Sequence, residues 1–391
     1  MAQRVVIVGG GVIGSSIAYF LGSHPRFRGD VVVIERDPGY RYASSALSAS
    51  AIRQQFSTPV NIEISRFGIE FLRRVGAHLG TGDEHPDVGL IEPGYLFLAT
   101  PAGVTILERN HRLQRAHGVD VALLTPPELG GRFPWMNVEG IAAASLGLSG
   151  EGWFDGYALL QAFRRKAQAL GAAYVPQAVT GFAREGRRVA AAILGDGSAV
   201  AADVVVNAAG PWAGHVAAML DVDLPVRARR RSVFVFACRA ALPGCPLVID
   251  PSGVWFRADG PNFLTGTSPR GGEPDPDDAP LEVDERLFSD TIWPVLASRV
   301  PAFEAVKVLK SWAGYYALNT FDHNAIIGPH PSLDNVLFAN GFSGHGLQQS
   351  PAVGRGLAEW IVEGGYRSLD LTPLAAARLV EGRRLVELNV I

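Results

Sequence analysis

The chain has 391 residues, a formal net charge of -3, 48% hydrophobic residues and 19% charged residues. At roughly 100–200 residues per domain this length predicts two or three domains with a sizeable core, and the apolar fraction excludes wholesale disorder. The near-neutral balance excludes an electrostatic footprint for nucleic acid, and no apolar run approaches the ~18 residues of a transmembrane segment. Two cysteines, Cys238 and Cys245, form no CxxC pair and cannot staple a chain of this size. A reducing compartment, the cytoplasm, is therefore expected. No cleavable signal precedes the first strand, and no HExxH or clustered His/Cys pattern predicts a metal.

Val5–Val8 reads as a buried parallel strand, and the turn Gly9–Gly14 leads into a helix with Ile13, Ile17 and Leu21 on one face. Val31–Ile34 is the next strand, and Glu35 closes it twenty-one residues after Gly14. This βαβ unit carries GxGxxG and an acid in register, the pattern of a dinucleotide site. Gly9 permits the tight turn, Gly11 admits a pyrophosphate, and Gly14 allows close helix–strand packing. Val12 and Ile13 open the helix whose free N–H groups face the phosphates. Glu35 accepts from ribose hydroxyls and repels a 2′-phosphate. The small-residue stretch 41–50, which includes Ser44 and Ser45, shows no period. Such a stretch threads past an extended cofactor, so the pattern leans toward FAD over NAD.

Further along, helices are expected at 61–75, 104–117 and 155–170, with a short one opening at Thr125. Strands are expected at 94–98, at Tyr174–Val175 with Val179, and at 203–207, followed by Ala208-Ala209-Gly210. Short aromatic strands follow between Arg229 and Gly266, and the basic run 227–231 reads as a solvated rim. Residues 271–280 read as a solvated, functionally silent loop, and a helix is expected at 285–296. A last buried strand at 335–339 enters Gly341-Phe342-Ser343-Gly344-His345-Gly346. The helix after it is expected to start at Ser350–Pro351, with Ser350 as its cap. The fold expected is α/β (α+β overall): a Rossmann-like FAD-binding domain with an inserted, mostly antiparallel substrate domain. The FAD-binding domain comprises 1–88, 153–225 and 316–391, and the substrate domain 89–152 and 226–315. No second GxGxxG appears, so electrons are expected to come from the substrate.

The N-terminal βαβ unit, Val204–Ala213, Ser311–Tyr316 and Gly341–Gln349 together resemble the D-amino-acid oxidase, glycine oxidase and sarcosine oxidase superfamily of flavoproteins. The resemblance runs over nearly the whole chain, into the tail Leu388–Ile391. It implies FAD bound in extended form. Gly9, Gly11, Gly14, Glu35 and Arg36 would hold the ADP half, with Ser44 and Ser45 near the pyrophosphate and the Val179 backbone at adenine. Gly210, Gly314 and Gly341 belong to the same cofactor set. Gly344, His345, Gly346, Leu347 and Gln348 would line the isoalloxazine, where a helix N-terminus stabilises an anionic reduced ring.

The implied chemistry is oxidation of the C–N bond of an amino acid, often an N-substituted one such as a sarcosine-like, N-alkyl or N-carboxyalkyl glycine. A hydride leaves the α-carbon for flavin N5, and water hydrolyses the imine. Arg53 matches a substrate-carboxylate arginine of sarcosine oxidase, and a guanidinium fork suits that task. Arg257, on one strand face with Trp255, is a candidate second anchor; Tyr316 is a candidate substrate contact; His345 and Gln348 complete the catalytic set. Three departures stand out. Gln348 replaces a lysine, Leu264 and Ser268 replace the lysine and histidine of the oxidase site, and no cysteine lies between Lys310 and Asp322. The flavin is accordingly expected to be non-covalent and the enzyme a dehydrogenase or an oxidase, with a quinone or electron-transfer protein favoured over oxygen as acceptor. Two other readings stay open: a flavoprotein that assists assembly of a respiratory complex, and a 2-hydroxy-acid dehydrogenase.

Overall fold

Val5, Val6 and Ile7 are fully buried because their strand, Arg4–Val8, lies inside a six-stranded sheet covered on both faces. The computed structural model describes residues 3–269 and 273–388. Gly271 and Gly272 of the expected loop, and Asn389–Ile391 of the tail, lie outside the described residues. The sheet order is Ile326–Pro329, Val336–Asn340, Val204–Asn207, Arg4–Val8, Asp30–Ile34 and Ala173–Val175. All neighbours are parallel except the Ile326–Pro329 edge. Helices Val12–Ser23, Pro59–Arg73, Gly156–Ala169 and Gly346–Glu363 contribute to the core on one side. The core on the other includes residues of a small antiparallel sheet of Val179–Glu185, Arg188–Leu194 and Ala199–Ala201, of which sequence periodicity marked only Val179.

An eight-stranded, largely antiparallel sheet faces this unit, ordered Val306–Asn319, Val226–Cys238, Asn262–Gly266, Trp255–Asp259, Leu247–Ile249, Tyr95–Ala99, Ala143–Gly147 and Val121–Leu124. Two long strands pair from Val226↔Asn319 to Cys238↔Val306. The expected boundary at 315/316 therefore falls inside one continuous strand. The period-less stretch at 41–50 contains a single helical turn, Ser44–Leu47, and leads to the two-residue strand Ala51–Ile52. The helix expected at 285–296 is a π-turn, Leu287–Ile292, continuing as the α-helix Trp293–Arg299.

Three expectations need correction. The basic run is not a solvated rim: it lies within the strand Val226–Cys238, and Arg229 and Arg231 are only 19% and 11% exposed at their side chains. Nor is the following loop merely solvated. Asp275 accepts both forks of Arg231 at 2.8 and 3.0 Å, Asp277 pairs with Arg229 at 3.1 Å, and the Ala279 carbonyl accepts the Tyr315 hydroxyl at 2.7 Å. Strand alternation puts Arg229 and Arg231 on one face, and half-buried guanidinium groups require those carboxylates.

The C-terminal helix begins at Gly346, four residues earlier than expected, with His345 at its N-cap. Pro351 sits inside it, where it cannot donate to the Leu347 carbonyl. Ser350 Oγ donates to that carbonyl instead, at 2.9 Å. The residue expected to cap the helix repairs its first turn.

Candidate active site

One elongated cavity of about 360 Å³ runs between the two sheets, from Gly9 and Glu35 to His345 and Gln348. At its first end, Gly9 has φ +102°, and a Cβ there would overlap the Ala208 carbonyl oxygen. A Cβ on Gly14 would overlap the Gly9 carbonyl, so Gly14 packs helix on strand behind the cavity rather than lining it. Gly11, Val12 and Ile13 do line it, and Ser45 Oγ accepts the Val12 N–H at 3.2 Å. Ser44 Oγ donates to the Tyr315 carbonyl at 2.6 Å, tying the helical turn to the long strand. Glu35 braces the glycine turn, accepting the N–H groups of Gly10 and Asp37, both at 2.8 Å. Burial raises its pKa. Arg36 lies over the Trp212 ring at 3.7 Å, and Val179 and Gly210 close this end. A Cβ on Gly210 would meet nothing within 4 Å.

At the second end the helix Gly346–Glu363 points its N-terminus into the cavity. It crosses the helix Val12–Ser23 closely: Ser16 Oγ donates to the Ser350 carbonyl at 2.7 Å, and a Cβ on Gly354 would overlap Ser16 Oγ. Two helix N-termini thus open into one cavity, each with N–H groups lacking intrahelical acceptors. Gly344, at φ +92°, lets the Tyr316 ring approach; a Cβ would sit 2.8 Å from it. Gly314 also lines the cavity, packed on Leu47. Gly341 does not; it packs behind, on Asn319 and Val226.

Arg53, His345, Gln348 and Tyr316 meet here. Arg53 is 1% exposed; its Nη2 donates to His345 Nε2 at 3.0 Å, and its backbone N–H donates to Gln348 Oε1 at 2.8 Å. The guanidinium rests against Phe56 and Phe97, 4.5 and 5.3 Å from the ring centres. Burial first, then the Arg53 charge, push the His345 pKa down to about 3. Burial also lowers Arg53 and raises Tyr316. Arg257 stands apart from this group and does not line the cavity. Its Nη2 donates to the Ala49 carbonyl at 3.0 Å, its Nη1 to Ala258 and Asp259, and it covers Trp153. It fastens the 41–50 stretch to the large sheet.

Sequence reading missed Glu151, which is fully buried behind Arg53. It accepts the N–H groups of Gln54 and Gln55 at 2.6 and 3.0 Å and Gln55 Nε2 at 2.8 Å. Burial outweighs those bonds and raises its pKa to about 7. Its only sequence signal is the pair of flanking glycines, Gly150 and Gly152. Also missed were Tyr95, Leu247 and Ile249, which with Trp255 wall the second end. Ser268 lines the cavity and Leu264 does not.

These residues fit an extended dinucleotide carrying a flat ring system. Open backbone at Gly11 and Gly210 suits the nucleotide end, two helix N-termini suit a pyrophosphate and an electron-rich ring, and an aromatic-walled space lies beyond. The comparisons agree. Residues 4–360 match the family described as FAD dependent oxidoreductase. The chain is 44% identical to FAD-dependent oxidoreductase domain-containing protein 1 of Xenopus laevis, over 99% of this chain and 84% of that protein. It is 27% identical to the mitochondrial sarcosine dehydrogenase of Mus musculus, over 92% of this chain and 40% of that one. The L-proline dehydrogenase from P. horikoshii superposes with a TM-score of 0.84 at 26% identity, covering 98% of this chain and 99% of that chain. The chain belongs to the FAD-dependent oxidoreductase family that contains the amino-acid oxidases, and its cofactor is FAD.

Proposed function

We propose that the protein oxidises the C–N bond of an amino acid bearing an N-substituted amine. The observation that carries this reading is the buried Arg53 beside a neutral His345 at the cavity's second end. Bound FAD supplies the two-electron, hydride-accepting chemistry. Arg53 anchors the substrate carboxylate through a charge-assisted fork. The anchor fixes the C–H bond adjacent to nitrogen, which matters more here than a strong acid or base. Arg53 and the surrounding burial also hold the substrate amine neutral, so its lone pair is available as the hydride leaves. Gln348 positions the anchor by holding the Arg53 backbone, and Tyr316, packed on Gly344, walls the same cavity. The resulting imine takes up water and separates into a carbonyl compound and an amine.

Among the described residues no lysine lines the cavity, so none supplies an ammonium to stabilise superoxide. This favours a quinone or electron-transfer protein over oxygen as acceptor. Cys238 and Cys245 are free thiols outside the cavity, so neither is placed to link a flavin covalently. No helix among the described residues is long and apolar enough to cross a membrane.

Product analysis tests the reading. Incubation with an N-methyl amino acid and an artificial electron acceptor should yield the 2-oxo acid and methylamine in equal amounts, the products of hydride loss from the α-carbon. Turnover of 2-hydroxy acids to 2-oxo acids, with amines inert, would replace it.

A further inference from the structure

The second end of the cavity is chemically lopsided. Its wall is one face of the large sheet, where Tyr95 and Leu247 are directly paired, Ile249 pairs with Trp255, and Trp255 pairs with Gly266. The missing side chain at Gly266 lets the Trp255 ring lie across it; a Cβ would sit 2.9 Å from Cζ2. Leu247, Ile249 and Tyr95 belong to a separate buried apolar cluster with Phe97 and Trp153.

Among the described residues, the cations near this wall other than Arg53 are engaged elsewhere. Arg231 lines the cavity, but both its forks are held by Asp275 at 2.8 and 3.0 Å. Arg257 is turned to Ala49 and Asp259. Arg36 is stacked on Trp212 at the nucleotide end. Arg53 therefore serves one carboxylate, and a second would enter an apolar space without a counter-charge, which is strongly unfavourable.

We propose that Leu247, Ile249 and Trp255 form a specificity wall for an apolar substituent, making the substrate a monocarboxylic amino acid with a hydrophobic group and excluding N-carboxyalkyl amino acids. The inference rests on the reading of Arg53 as the carboxylate anchor. Apolar burial at this wall tightens binding by about fourfold per added methylene. A second carboxylate weakens it on the order of a hundredfold.

The test uses the FAD-loaded protein and unreactive ligands, so that binding is read apart from turnover. Acetate, butyrate, phenylacetate and succinate are titrated while the flavin visible band is followed. Kd should fall from acetate to butyrate to phenylacetate, and succinate should bind on the order of a hundredfold more weakly than butyrate. Trp255→Ala should flatten the series while flavin absorbance is retained; Trp255→Phe, the gentler change, should keep most of it. Equal affinities along the series, or succinate binding as tightly as butyrate, would overturn the wall. The amine reading fails separately. Bleaching by sarcosine-type amines with no apolar preference removes the wall and leaves the reading, whereas a steep binding series with no bleaching by any amine leaves the wall and removes the reading.

Discussion

Arg53 Nη2 lies 3.0 Å from His345 Nε2, and this contact fixes the protonation of the imidazole. A guanidinium only donates, so Nε2 accepts and the ring is neutral, with its proton on Nδ1. The pKa of about 3 follows from burial and from the same positive neighbour. The pair joins the end of the 41–53 segment to the start of the C-terminal helix, the two parts of the chain that converge on the cavity.

Arg53→Ala should weaken substrate-carboxylate binding on the order of a hundredfold, the loss of about 3 kcal/mol expected for a buried charged contact. Flavin content should be unchanged, because the nucleotide end is built from Gly9, Gly11 and Ser45. Titration of the flavin spectrum with a monocarboxylate measures the first, and the ratio of flavin to protein absorbance the second. Arg53→Lys should recover part of the affinity.

Glu151 and His345 pull pH dependence in opposite directions. Glu151 has a folded pKa raised to about 7 from 4.5, so its contribution is fully present below about 4.5 and is lost as pH rises to about 7. His345 has a folded pKa lowered to about 3 from 6.5, so its contribution is present above 6.5 and is lost as pH falls. Between pH 4.5 and 6.5 the two largely cancel. Glu151→Gln removes one of them. Its stability relative to the parent should rise between pH 4.5 and 7, by about 3 kcal/mol in all, and then level off. Urea unfolding at four pH values checks the slope; a constant difference would mean that Glu151 is ionised throughout.

Much of the fold is legible in the sequence because its signals are local. The GxGxxG turn, the buried run Val204–Asn207 and the amphipathic helix Gly156–Ala169 are each fixed by neighbours within a few residues, the last with Asp155 capping Ala158. The long strands Val226–Cys238 and Val306–Asn319 are less legible. The arginines of the first resemble a surface until the carboxylates of Asp275 and Asp277, more than forty residues downstream, come to meet them. Glu151 is illegible for a similar reason: nothing beside it in sequence reveals that the backbone of Gln54 and Gln55, nearly a hundred residues upstream, needs an acceptor. The helix start at Gly346 was hidden by Pro351, a residue favoured at a helix start that here lies inside the first turns.

Gly344→Ala should disturb both the loop and the ring site. The residue has φ +92°, and the added methyl would sit 2.8 Å from the Tyr316 ring. A destabilisation of about 1–3 kcal/mol is expected for the backbone conformation alone. Flavin retention on gel filtration should fall, and thermal unfolding should shift downward. Retention and midpoint equal to the parent would show that the loop relaxes freely.

Asp275→Asn should free the Arg231 fork beside the cavity and loosen the segment that covers Tyr315. The expected cost is about 1–2 kcal/mol for a partly buried, bidentate pair. The recovery of free-flavin fluorescence on dilution should be several-fold faster than in the parent, and the difference should shrink in high salt, which weakens the parent's pair.

The central claim is that an amine donates electrons to the flavin from a site anchored by Arg53. The most direct measurement is anaerobic titration of the FAD-loaded protein with N-alkyl amino acids, following the flavin visible band. The account predicts bleaching by monocarboxylic N-alkyl amino acids and none by the corresponding amines that lack a carboxylate. A flavin that dithionite reduces but no amino acid bleaches, or one that carboxylate-free amines bleach equally well, would contradict it.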